Sequence, residues 1–185
     1  MIDAACEKAK SLRLKTIGNQ LPQVMQTAGE NNWPTLKTLD HLFELEIETR
    51  RLNRIALCFR QSKLTEKLTI DQFDFNHHSS RKKQKTRILS LMSLAFLEAK
   101  MDIILIGNPG VGKTFLAKAV AYTATQAGKK VLFTTAMDMI NHLIAAEADH
   151  WLLKKLHYYQ SPELLVIDDD VSIGQEFHFL FPGYA

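Results

Sequence analysis

The run Gly107-Asn108-Pro109-Gly110-Val111-Gly112-Lys113-Thr114 fits the pattern G-x-x-x-x-G-K-[ST] at every specified position. These residue types suit one task, the holding of a polyphosphate. Gly107, Gly110 and Gly112 allow positive φ and a close backbone approach to an anion. A helix that starts at the loop adds the positive end of its dipole. Lys113 can carry charge to the β- and γ-phosphates, and Thr114 can offer a hydroxyl to Mg²⁺. With Phe115, the first helical apolar residue, Gly107 to Phe115 form the candidate nucleotide contact set. The bland alternative is a glycine-rich turn that happens to precede Lys-Thr. The loop's setting argues against it, because an apolar run, Ile103 to Ile106, comes before and a helical pattern from Phe115 to Gln126 comes after.

A second element supplies carboxylates. Leu164-Leu165-Val166-Ile167 is a continuous apolar run that ends in Asp168-Asp169. Such a run reads as a strand of a parallel sheet buried on both faces. Ligands of open α/β sheets sit at the carboxyl ends of their strands. Asp168 is therefore expected to hold Mg²⁺ through water, and Asp169 to polarise the attacking water. ATP and Mg²⁺ are the expected ligands, with Lys113 and Asp169 as the catalytic pair and Thr114 and Asp168 as the metal contacts. Asp170 reads as a solvated loop charge.

The elements that must position these groups fall into two regimes. From residue 102 onward, strands and helices alternate, which predicts a parallel sheet with helices on both faces. The expected order is strand 102–106, helix 113–127 stopped by Gly128, strand 131–135, helices 137–147 and 151–158, and the strand that ends at Asp168. Residues before 100 are helical in pattern. One helix covers 2–17, broken or kinked by Gly18-Asn19-Gln20 and Pro22, with a short helix over 22–29. A long helix from Thr35 to about Gln61 carries one apolar stripe of Leu36, Leu39, Leu42, Phe43, Ile47, Ile55 and Phe59. Residues 65–80 read as an irregular connector and 81–99 as a further helix. The domains expected are a basic helical region over 1–64, the connector 65–80 and an ATPase domain over 81–185.

Composition bounds the rest. A chain of 185 residues, 46% hydrophobic, can bury a core. It has no run of 18 apolar residues and no secretory leader pattern, so a cytoplasmic protein without a membrane span is expected. Cys6 and Cys58 fit no metal spacing and read as reduced thiols. The adjacent His77-His78 do not face one site on a helix or strand. Net charge is +3, but residues 1–100 hold 17 Lys and Arg against 11 Asp and Glu, while residues 101–185 hold 6 against 9. That split suggests a nucleic-acid-facing region before the nucleotide loop. The candidate DNA contacts are Arg50, Arg51 and Arg54 in one cluster and Arg81, Lys82 and Lys83 in another, each weighed against a solvated helix face. Trp33 and Trp151 read as core or interface residues. Phe73 and Phe75 either anchor the connector to the ATPase core or flank the adenine.

These pieces together resemble a family. Trp33 with the Arg50-Arg51 segment, Phe73-Asp74-Phe75, Gly107 to Thr114, Val131 to Ala136 and Leu164 to Asp169 resemble the IstB-like ATPases, bacterial transposition helpers of the AAA+ class, over about residues 5–170. The resemblance implies a P-loop fold preceded by helices, ATP-dependent self-association on double-stranded DNA and delivery of target DNA to a partner transposase. It carries phosphate and Mg²⁺ binding onto Lys113 and Thr114, the Mg²⁺ aspartate onto Asp168 and water activation onto Asp169. The resemblance implies further sheet, a polar sensor and an arginine finger after the acidic strand, whereas this sequence has 16 residues after Asp169. A fold incomplete at the C-terminus, with impaired hydrolysis and an unpaired sheet edge, is the resulting expectation. A DnaC-type helicase loader and a non-catalytic DNA-binding or interaction fragment are the alternative readings.

Overall fold

The computed structural model describes residues 1–77, 79–168 and 176–180. The chain forms two compact units, Met1–Arg54 and Ile55–Ala185. The division falls inside a helix rather than at residue 64. The last turns of that helix belong to the second unit because Phe59 packs there, edge-on to Tyr122 at 5.7 Å and against the core that holds Leu64.

In the first unit, α1 (Ile2–Ser11), α2 (Lys15–Glu30) and the first turns of α3 (Thr35–Gln61) enclose a small core of Ala9, Ile17, Val24 and Leu42. The expected break at Gly18 to Pro22 does not occur, and α2 runs through Pro22. Gly18 serves a packing purpose instead. A Cβ there would meet Lys10 Cγ at 2.7 Å and the Cys6 carbonyl at 3.0 Å, so the missing side chain lets α1 lie close against α2. It is also the residue whose carbonyl a proline at 22 would crowd. The face of α3 that α2 meets shares only Leu42 with the part of the expected stripe that lies in this unit. Thr38, Leu42 and Glu46 are buried, while Leu36, Leu39, Phe43 and Ile47 are exposed. The choice follows from Glu46. Its carboxylate accepts hydrogen bonds from the Thr16 and Ile17 amides, at 2.9 and 3.2 Å. These are first-turn donors of α2 that have no partner within the helix. Packing thus turns about one residue around from the most apolar stripe.

The second unit continues with a single 3₁₀ turn, Ile70–Gln72, and then α4 (Ser79–Lys83), α5 (Lys85–Leu91) and α6 (Ala95–Glu98). The helix expected over 81–99 is therefore three short ones. Leu94 lies at φ +59°, where a helix cannot continue. The sheet strands are β1 (Ile103–Ile106), β2 (Val131–Thr135), β3 (Leu164–Asp168) and β4 (Glu176–Leu180), in the order β1-β4-β3-β2. Between them run α7 (Lys113–Gln126), α8 (Ala136–Ala148) and α9 (Leu152–Gln160). The α7 helix ends in a Schellman turn. Gly128 is at φ +71°, its amide reaches the Thr125 carbonyl, and the Lys129 amide reaches that of Ala124.

Strand alternation sorts the core into two layers. Leu164 and Val166 pack with Ala117, Val120, Ala121 and Ala124 of α7, whereas Leu165 and Ile167 pack with Tyr159, Met139 and Leu143 of α8 and α9. Helices thus cover both faces of β2 and β3, as the buried apolar runs predict. Among the described residues, helices cover only one face of β1. Ile103 and Leu105 turn to the α7 core, while Ile104 and Ile106 are 51% and 72% exposed, because α8 and α9 pack on β2 and β3.

The sheet is mixed rather than all parallel. β2 and β3 are parallel, and β4 runs antiparallel to both β3 and β1. Residues 176–180 thus lie between β1 and β3, and β1 remains an edge strand among the described residues. The direction follows from chain length. Positions 169–175 separate β3 from β4, and a parallel crossover takes a dozen residues or more.

Candidate nucleotide-binding site

Three elements meet at the carboxyl ends of β1 and β3. Gly110 and Gly112 adopt φ +79° and +91° and bend the chain from β1 into α7, with Gly112 as the helix cap. The requirement for glycine at 112 is double. Besides its φ, a Cβ there would lie 2.7 Å from Phe73 Cε2 and 2.9 Å from an Arg81 nitrogen. Lys113 opens α7 and is buried. Its ammonium donates to the carbonyls of Gly107 and Asn108, at 2.6 and 3.0 Å, which places the charge inside the loop. Thr114 is exposed in the first turn of α7. Asn108 and Pro109 form the exposed crest of the loop, and Val111 is half-buried. Phe115 turns inward instead, its ring 5.5 Å from that of Phe73. Its side chain is packing, so only its backbone is placed to serve the site.

Asp168 is the last residue of β3 and is buried. It pairs in register with Phe177, which pairs with Leu105. Two strand spacings, about 10 Å, thus separate the backbone of Asp168 from the strand that feeds the loop. Asp169 and Asp170 lie outside the described residues, as does His78. Among the described residues, no group of three or more His, Cys, Asp or Glu could hold a metal. One hydroxyl and one carboxylate at a phosphate site is nevertheless a set that suits Mg²⁺, which keeps several waters and takes its other oxygens from phosphate.

The connector is also more ordered than its sequence suggests. Phe73 is buried with Ile88 and Leu116, edge-on to Phe75 at 5.0 Å. It anchors the connector, which was one of its two readings. Phe75 is half-buried and lines a cavity of about 420 Å³ with Asp71, Asp74, Lys82 and Lys85.

The candidate DNA contacts divide. Arg50 is held by Glu46 at 2.8 Å and by the Arg13 carbonyl at 2.7 Å, and Arg51 is paired with Glu48 through two bonds of 2.7 and 2.8 Å. Arg54 lies on α3 beyond them. Lys82 and Lys83 are exposed on α4. Arg81 belongs elsewhere. It donates to the Val111 carbonyl at 2.9 Å, to that of Gly110 at 3.3 Å and to that of Asp74 at 3.0 Å. Its guanidinium also lies 4.5 Å from the centre of the Phe73 ring. Sequence spacing gave no sign of this, because Arg81 sits in a basic run far upstream of the loop. Of the two tryptophans expected in the core or at an interface, Trp151 is 58% exposed with Lys154 over its ring and so is not in the core, while Trp33 is half-buried against His41. Cys6 and Cys58 are free thiols, both buried.

A strand that runs into a glycine loop capped by a helix-opening Lys-Thr, with an acidic strand end beside it, defines the P-loop class of α/β nucleotide-binding folds. Residues 7–175 match the model of the family described as IstB-like ATP binding protein. The chain is 33% identical over 163 residues to a protein named for ATP binding in insertion sequence IS5376 of Geobacillus stearothermophilus, covering 88% of this chain and 64% of that one. It is 31% identical over 158 residues to a protein named likewise for insertion sequence IS232 of Bacillus thuringiensis, covering 85% and 62%. A shorter match, 33% over 85 residues, reaches the chromosomal replication initiator DnaA of Campylobacter jejuni, covering 43% of this chain and 19% of that protein. This chain belongs to the IstB-like ATP-binding family, and spans less than two thirds of the length of the first two relatives. Among the described residues, no helix is long and apolar enough to cross a membrane.

Proposed function

We propose that this chain binds ATP with Mg²⁺ at Gly107 to Thr114 and acts as a helper in DNA transposition. The observation that carries this is the buried Lys113, whose ammonium already points into the loop and is held there by two loop carbonyls. An entering phosphate exchanges those neutral acceptors for an anionic one, at the N-terminus of a 14-residue helix. Thr114 and Asp168 would hold Mg²⁺, which offsets phosphate charge when bound. Water activation falls to Asp169 by family resemblance, and ATP turnover rests on that assignment.

Binding of double-stranded DNA is proposed for the exposed Lys82, Lys83, Lys85 and Arg87, which α4 and α5 present together in the nucleotide unit. Self-association and assistance to a transposase in choosing target DNA follow from the family and complete the reading. The direct test is titration of a fluorescent ATP analogue with Mg²⁺. Saturable binding by the wild-type chain and its loss in Lys113→Ala are expected. Equal binding by both would remove the loop from the mechanism.

A further inference from the structure

We infer that Arg81 is a positioning residue for nucleotide binding: from outside the loop, it aims the Val111 and Gly112 amides at the phosphate. The inference rests on the ATP-binding reading above. Its basis is peptide geometry. In a trans peptide the C=O of one residue and the N–H of the next point in opposite directions. The Gly110 carbonyl shares its peptide unit with the Val111 N–H, and the Val111 carbonyl shares its unit with the Gly112 N–H. Arg81 holds both carbonyls, at 3.3 and 2.9 Å. Drawing them toward the guanidinium sends the two N–H groups to the opposite side.

That side is the loop interior. The Val111 amide points at the Asn108 carbonyl, at 3.5 Å, and the same carbonyl accepts the Lys113 ammonium at 3.0 Å. The amide and the ammonium therefore converge on one place, the one a phosphate would take. The two peptide units need an external hold because they are flanked by Gly110 and Gly112. Both glycines have φ in a region where the backbone reorients at low cost. Charge on the guanidinium adds a second effect, since a polarised carbonyl makes its own N–H a stronger donor.

Arg81 is itself fixed. Its third bond goes to the Asp74 carbonyl, and it stacks on Phe73, which is buried. The contact is close enough that Gly112 has no room for a Cβ between Phe73 and Arg81. The three carbonyls are reached by three different nitrogens of the planar fork, a spread that the single nitrogen of a lysine ammonium does not match, so lysine is a partial substitute.

The test combines nucleotide affinity with amide spectroscopy of the whole chain. Arg81→Ala is expected to weaken ATP and ADP binding roughly 10- to 100-fold, the value of one or two hydrogen bonds to a charged group. In the nucleotide-free protein, the ¹H–¹⁵N resonances of Val111 and Gly112 should move in Arg81→Ala and return part of the way in Arg81→Lys. Arg81→Lys also serves where the alanine variant fails to fold, with affinity between the two. Wild-type binding of ATP with unchanged affinity in Arg81→Ala overturns this inference alone. Unmoved Val111 and Gly112 resonances overturn it as well. A wild-type chain that binds no ATP overturns the nucleotide reading and this inference with it.

Discussion

Two glycines show how the same residue type carries opposite consequences. Gly112 sits at φ +91° with an aromatic carbon and a guanidinium nitrogen within 3 Å of where a Cβ would lie. Gly112→Ala therefore meets both a backbone and a steric penalty, about 1–3 kcal/mol for the backbone alone. It should lower the unfolding midpoint of the nucleotide unit and abolish binding of the ATP analogue. Gly29, in the last turn of α2, has nothing within 4 Å of the same position. Gly29→Ala is expected to stabilise the chain by about 0.5–1 kcal/mol through loss of unfolded-state freedom, read by denaturant melts. A destabilised Gly29→Ala would mean that helix propensity does not govern that turn.

At the scale of elements, the contact between Glu46 and the start of α2 makes the first unit sensitive to pH. Burial alone would raise the carboxyl's pKa. Hydrogen bonds from Arg50, Ile17 and Thr16 and the charge of Arg50 outweigh it and hold the pKa below the ordinary value. A carboxylate with a depressed folded pKa contributes stability above its unfolded pKa and loses it as pH falls through the folded one. Stability should thus decline as pH drops from about 5 toward 3. Glu46→Gln should cost about 1–3 kcal/mol near neutrality and flatten that part of the curve, measured by circular-dichroism melts across pH. An unchanged pH profile would show that the contact does not support folding. This contact also marks the limit of what the sequence discloses. The phosphate loop, α7, β2 and β3 were legible because each rests on local rules, namely glycine spacing, apolar run length and a helix stop at Gly128. The continuity of α2 through Pro22 depends on a neighbour, α1, that Gly18 admits. The buried face of α3 was chosen by a charge on that face rather than by its apolar stripe. By sequence Arg81 is one member of a basic run, because its acceptors, the Gly110 and Val111 carbonyls, are backbone atoms that no side-chain pattern records. The direction of β4 was fixed by the short connection before it, a constraint visible only once residues 176–180 are known to be a strand.

For the whole molecule, the structural division relocates the basic charge. Residues 1–54 hold 8 Lys and Arg against 7 Asp and Glu, whereas residues 55–100 hold 9 against 4. The excess read as an N-terminal feature therefore lies within the nucleotide unit, immediately before β1. Arg50 and Arg51 are compensated by Glu46 and Glu48. An exposed pair such as Arg51 with Glu48 contributes about 0–1 kcal/mol to stability, so Arg51→Ala is a mild control. The proposed DNA contact can then be assigned by counterion release. Each phosphate contact adds about 0.9 to the slope of log affinity against log salt. Lys82→Ala with Lys83→Ala should lower the slope for duplex DNA by about 2, while Arg51→Ala leaves it unchanged, in filter-binding titrations across a salt series. Arg81 was grouped with those lysines by sequence, but its guanidinium is already engaged by three carbonyls. Its replacement should act on nucleotide affinity and leave the DNA slope alone. A fall in slope with Arg51→Ala, and none with the lysine pair, would move the DNA contact to the first unit and away from the helices that precede the phosphate loop.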